Sequence, residues 1–167
     1  MRRSSVFTML VAFALASLLP NQDAQAQLAK NGTYTGKYVF SENVLKAREV
    51  EKDRIFLLSE NLGIFLNDAG EGFLHATSAI CQVFGVVKAG RFTGNGSCVF
   101  TDKDGHKAFS LWSCTPMPGA DCAGTSEWAG GTGKYQGLKG KNTFVSYPAI
   151  GGTTEAIVDW KGEWRLP

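Results

Sequence analysis

From residue 33 onward the chain alternates apolar and polar side chains in short runs, and most runs end at a glycine-bearing turn. Tyr34, Gly36, Tyr38 and Phe40 alternate with Thr33, Thr35, Lys37 and Val39. Residues 77–88 and 91–101 flank an Ala89-Gly90 turn, and residues 107–114 follow an Asp104-Gly105 turn. Near the end, Ala156, Val158, Trp160 and Trp164 alternate with Glu155, Ile157, Asp159, Lys161 and Glu163. Arg54 to Leu58 and Gly63 to Leu66 read as strands about a Glu60-Asn61 turn. The best helical candidate is Glu42 to Asp53, where alternating charges and only Val44, Leu45, Ala47 and Val50 make a poor stripe. The pattern predicts an antiparallel meander, and a meander hides its edges best by closing into a barrel.

Register also ranks the cysteine pairings. If Ala89-Gly90 is a two-residue turn, Lys88 faces Arg91 and Cys81 falls directly opposite Cys98, where Cβ atoms approach closely. With Lys103 facing His106 in the next hairpin, Cys98 lies opposite Leu111 and Cys114 falls on the other face. Cys114 is then left to close a short loop with Cys122. The expected disulfides are Cys81–Cys98 and Cys114–Cys122. An even cysteine count fits an oxidising compartment.

The first 26 residues point the same way. Arg2 and Arg3 precede an apolar stretch from Val6 to Leu19, and Ala24-Gln25-Ala26 offers a small-x-small cleavage pattern. This predicts a signal peptide at 1–26 and a single domain at 27–167, secreted or periplasmic. The apolar stretch is too short for a membrane span, and no second long one follows. Without residues 1–26 the chain has 141 residues with 15 basic and 14 acidic side chains. No Lys/Arg stripe accompanies that balance, so no nucleic-acid partner is expected. An apolar fraction of 44% excludes a disordered polyelectrolyte.

The most distinctive segment is Gly130-Gly131-Thr132-Gly133-Lys134-Tyr135-Gln136-Gly137-Leu138-Lys139-Gly140. It resembles the GGTG-[KR]-[FY]-x-x-x-[RK]-G signature of dirigent proteins and, more loosely, allene oxide cyclases. It also looks like a group of small exported bacterial proteins whose Asp-x-Asp-Gly-Asp turn is similar to Asp102 to His106, with His106 replacing the last Asp. The resemblance implies a calycin-like, up-and-down β-barrel of about eight strands. No positions match the relatives' acid or cyclisation residues, so it implies fold and not reaction. The motif's glycines suit a barrel corner, whereas a phosphate loop would need GxGxxG spacing and a following helix.

The remaining constellations carry little chemistry. Counted from Asp102, an EF-hand would need Gly and Glu where Lys107 and Ser113 stand. With the cysteines paired, His75 and His106 make no metal set, and no cofactor is expected. His75, near Glu71 at an apolar strand entry, is the candidate general acid or base. Trp112, Trp128, Tyr135, Trp160 and Trp164 are candidates to line a cavity for a flat ligand, or else to fill a solid barrel. The reading is an exported, disulfide-stapled barrel that binds a small apolar or aromatic molecule without transforming it. The alternatives are a cyclase-like or isomerase-like enzyme, and an inhibitor-like protein-binding module using the Cys114–Cys122 loop. The oligomeric state is left open.

Overall fold

Eight strands follow one another in chain order: β1 (Asn31–Glu51), β2 (Arg54–Asn67), β3 (Thr77–Lys88), β4 (Arg91–Thr101), β5 (Lys107–Met117), β6 (Ala120–Gly131), β7 (Lys141–Tyr147) and β8 (Glu155–Arg165). Each pairs antiparallel with the next, and β8 returns to β1, so the sheet closes into an up-and-down barrel. The computed structural model describes residues 28–148 and 154–167; the expected signal peptide lies outside the described residues. Among the described residues no helix is long and apolar enough to cross a membrane.

Alternation sets the inside. On β1, Tyr34, Gly36, Tyr38 and Phe40 are buried while Thr33, Thr35, Lys37 and Val39 face out. On β3, Thr77, Ala79, Cys81, Val83 and Gly85 are buried. Gly85 faces Gly94 across the β3–β4 pair, and a methyl group at either would collide with the Phe92 ring. Those two positions therefore exclude a side chain so that the ring can lie across the wall.

Lys88 faces Arg91 and Cys81 faces Cys98, and both expected disulfides are present. Local expectations change at several points. The candidate helix at Glu42–Asp53 is strand: β1 runs through it to Glu51, with pairing irregularities at Val44/Lys46 and Glu49/Glu51. The chain reverses after it, where Asp53 takes φ 61°. Glu60 and Asn61 form no turn; they lie inside β2 opposite Gln82 and Cys81. Finally, Asp102–His106 is a longer loop than a two-residue turn. The Asp102 carboxylate accepts from the amides of Asp104 and His106, both at 2.9 Å, and this slips the β4–β5 register by one. Cys98 therefore faces Ser110 rather than Leu111, and Cys114 points inward opposite Gly94.

The Cys114–Cys122 bridge closes a hairpin, not a loop. Both strands run almost to its tip, with a pairing irregularity at Thr115/Met117 around Pro116. Proline has no amide to donate to the ladder, which accounts for the break.

Candidate functional site

Up-and-down topology gathers the β2–β3, β4–β5 and β6–β7 connections, the start of β1 and the end of β8 at one mouth of the barrel. That mouth is plugged. The β2–β3 connection folds Phe73 and Leu74 inward, and Asn67 donates its side-chain amide to the Phe73 carbonyl at 3.0 Å. Phe73 stacks on Trp164 with ring centroids 4.5 Å apart, and its ring meets Trp128 edge-on at 5.5 Å. The β6–β7 connection makes one 3-10 turn at Gly133–Tyr135 and buries Tyr135 and Leu138.

The two unusual sequence segments meet here. Lys134 Nζ lies 2.7 Å from Asp102 Oδ2 and 3.7 Å from Asp104 Oδ2. Thr132 donates its amide to the Lys107 carbonyl at 2.7 Å, and its hydroxyl accepts from the Lys107 amide at 2.9 Å. Burial pushes the Asp102 carboxyl up, but the Lys134 ammonium and the His106 and Asp104 amides outweigh it and hold it below the ordinary carboxylate value. The glycine-rich segment is thus a barrel corner clasped to the neighbouring turn.

The barrel's waist is aromatic with one polar chain. Tyr34 donates its hydroxyl to Asn142 Oδ1 at 2.8 Å, and Asn142 donates to Ser126 Oγ at 3.0 Å. Burial pushes the Tyr34 phenol well up. Trp128 and Trp160 stack in parallel with centroids 6.3 Å apart.

Beyond Trp160 the packing opens. A cavity of about 440 Å³ occupies the other mouth, where the β1–β2, β3–β4, β5–β6 and β7–β8 connections gather. Its aromatic walls are Tyr38, Phe40, Phe92, Trp112, Phe144 and Trp160. Tyr38 and Phe40 stack at 5.0 Å, and Tyr38 donates its hydroxyl to the Asn61 carbonyl at 2.9 Å. Both disulfides reach the wall, through Cys81, Cys98 and Cys122. Two carboxylates, Glu42 and Asp121, complete it. Glu42 accepts the Ser59 hydroxyl at 2.7 Å from a fully buried serine. Burial and then the Glu42 charge raise the Asp121 carboxyl above its ordinary value.

A larger depression of about 1210 Å³ is lined largely by strand positions that alternation turns outward, among them Thr35, Thr125, Thr143, Lys161 and Glu127. It is shallow and largely hydroxylated or charged. The smaller cavity is the better candidate, because its apolar walls can exclude water from a ligand.

The tryptophans divide between the two mouths. Trp112 and Trp160 line the cavity, while Trp128, Tyr135 and Trp164 belong to the plugged end. His75 and Glu71 sit on the β2–β3 connection at that same plugged end, away from the cavity. Glu71 is exposed, and His75 Nδ1 is buried with no hydrogen-bond partner among the described residues. Glu42 and Asp121 escape sequence reasoning, since the first opens the candidate helix and the second falls in the expected loop between Cys114 and Cys122. Among the described residues no group of three or more His, Cys, Asp or Glu side chains is placed to hold a metal ion.

No protein-family model matches the chain, nor does any curated protein. Among solved structures, the chain is similar to a pterocarpan synthase dirigent protein at 12% identity and a TM-score of 0.48. The match covers 83% of this chain and 93% of that one. Identity at this level carries neither ligand nor activity across.

Proposed function

We propose that this protein is an exported barrel that holds a small, flat, largely apolar molecule in the cavity at its open mouth without transforming it. One observation carries the reading: an aromatic cavity of about 440 Å³ penetrates a barrel whose opposite end is tightly plugged. That volume lies in the range of pockets that bury most of a small ligand. The two disulfides fit an oxidising compartment, in keeping with the export segment read from the sequence. Native mass spectrometry of protein purified from its own exported fraction tests the reading. A co-purifying small molecule, lost when Val83 on the cavity wall is replaced by Trp, is the expected result. An empty barrel that also fails to take up any apolar probe overturns it.

A second reading, proton transfer to the bound molecule, is favoured by Asp121. Its carboxyl lines the cavity and is held above its ordinary value by burial and by Glu42, which suits a general acid. Conversion of a bound molecule that disappears in Asp121→Asn while binding persists would establish it. Turnover unchanged in that variant would exclude it.

A further inference from the structure

The charges around the cavity are one-sided. Its lining includes the carboxylates of Glu42 and Asp121 and, among the described residues, no lysine, arginine or histidine. This is notable in a chain with 17 basic and 15 acidic side chains and a formal net charge of +2. The two acids come from distant parts of the chain, β1 and β6, and closure of the barrel brings them to one mouth. Ser59 pins the Glu42 carboxylate from behind with its hydroxyl at 2.7 Å. Among the described residues no cation on the lining offsets the repulsion between the acids, so their field points into the space a ligand would occupy.

The rest of the wall suits the same charge. Six aromatic side chains, Tyr38, Phe40, Phe92, Trp112, Phe144 and Trp160, surround the cavity. Aromatic faces are negative and attract a cation once water is displaced. Asn61, also on the wall, keeps a buried side-chain oxygen with no hydrogen-bond partner among the described residues. Carboxylates, ring faces and a spare carbonyl oxygen favour a positive group and disfavour an anion.

We propose that the cavity selects an organic cation, an apolar or aromatic body carrying a protonated or quaternary nitrogen, with the nitrogen between Glu42 and Asp121 and the body against the ring walls. The proposal rests on the cavity being a ligand site, and it names the chemical class that site takes. It requires no bond to form or break.

Calorimetric titration with three probes of one shape tests it: 2-naphthylmethylammonium, 2-naphthalenemethanol and 2-naphthoate. The ammonium probe is expected to bind about tenfold tighter than the alcohol, and the carboxylate weakest. In the Glu42→Gln, Asp121→Asn double variant, the ammonium advantage falls below about threefold while affinity for the alcohol holds. Should the double variant not fold, Asp121→Asn alone makes the same comparison with a smaller loss. Equal or tighter binding of the alcohol to the unmodified protein overturns the cation proposal and leaves the ligand-cavity reading standing. So does an ammonium advantage unchanged in the carboxylate variants. Failure of all three probes overturns both. Binding that survives filling of the cavity by Val83→Trp, or by Ala156→Trp if the first variant does not fold, places the probes elsewhere and also overturns both.

Discussion

The two mouths of this barrel are built from the same kinds of residue and end in opposite states. At the plugged mouth, Phe73, Trp128, Tyr135 and Trp164 fill the cylinder, helped by two connections long enough to fold inward. At the open mouth, Tyr38, Phe92, Trp112 and Phe144 stand around a void. Among the described residues the difference goes with connection length. Nine residues separate β2 from β3 and nine separate β6 from β7, whereas two separate each of β1–β2, β3–β4 and β5–β6; of the seven between β7 and β8, residues 149–153 lie outside the described residues. A two-residue turn has no side chains to spare for a plug. Aromatic content alone therefore does not distinguish a filled barrel from a hollow one; the connections do.

Truncations should expose this asymmetry most strongly. Trp128→Ala removes a ring packed on Phe73, Phe100, Tyr34 and Trp160, and is expected to cost about 3–5 kcal/mol in urea unfolding. Trp112→Ala, beside the void, should cost well under half as much; equal losses would mean that the cavity end is as tightly packed as the plug.

The disulfides come next, and both touch the cavity wall. Replacing the Cys81–Cys98 pair with alanines, a separation of 17 residues, should cost about 3 kcal/mol. Replacing Cys114–Cys122, a separation of 8, should cost about 2.5 kcal/mol. Denaturant midpoints of the two double variants rank them, and the reverse order would show that native-state strain outweighs chain entropy.

The clasp at the plugged mouth should show in acid. Asp102 titrates below its ordinary value of 3.8 when folded, so its contribution is complete above that value. The contribution is lost as pH falls from there through the folded value. Asp102→Asn is expected to lower stability by about 1–2 kcal/mol at neutral pH and to flatten the fall in melting temperature below pH 4. An unchanged acid profile would remove the clasp from the account. The smallest stability effect belongs to Val83→Trp, which should change stability by about 1 kcal/mol or less because space already exists. A much larger loss, read in the same unfolding assay, would show that the space is not available to a side chain.

Much of the barrel could be read where one face is wet and the other dry, as on β3, β8 and the first half of β1; the second half, exposed on both faces, was read as a candidate helix. Where that contrast fails, so did the reading. Strand β2 is apolar on both sides, with Leu57 and Phe65 turned inward and Phe56, Leu58, Leu62, Ile64 and Leu66 exposed. Alternation vanishes there, and Glu60-Asn61 stood out within the polar interruption Ser59-Glu60-Asn61. The slip at Asp102 had a different cause, because a side chain capturing two amides adds residues to a turn that composition does not count. Among candidate site residues, Trp112 and Trp160 line the cavity, but Trp128 shares their alternation and faces the plug. The carboxylates were illegible for a geometric reason. Glu42 and Asp121 lie far apart along the chain, and only the closing of β8 onto β1 brings their strands around one opening.

The parallel indoles at the waist give this protein an optical property of its own. Trp160 touches the void and Trp128 does not, yet their centroids are 6.3 Å apart with planes inclined by 3°. A group settling beside Trp160 is therefore within one ring's breadth of its buried neighbour, and the emission of the pair is expected to change when the cavity is filled.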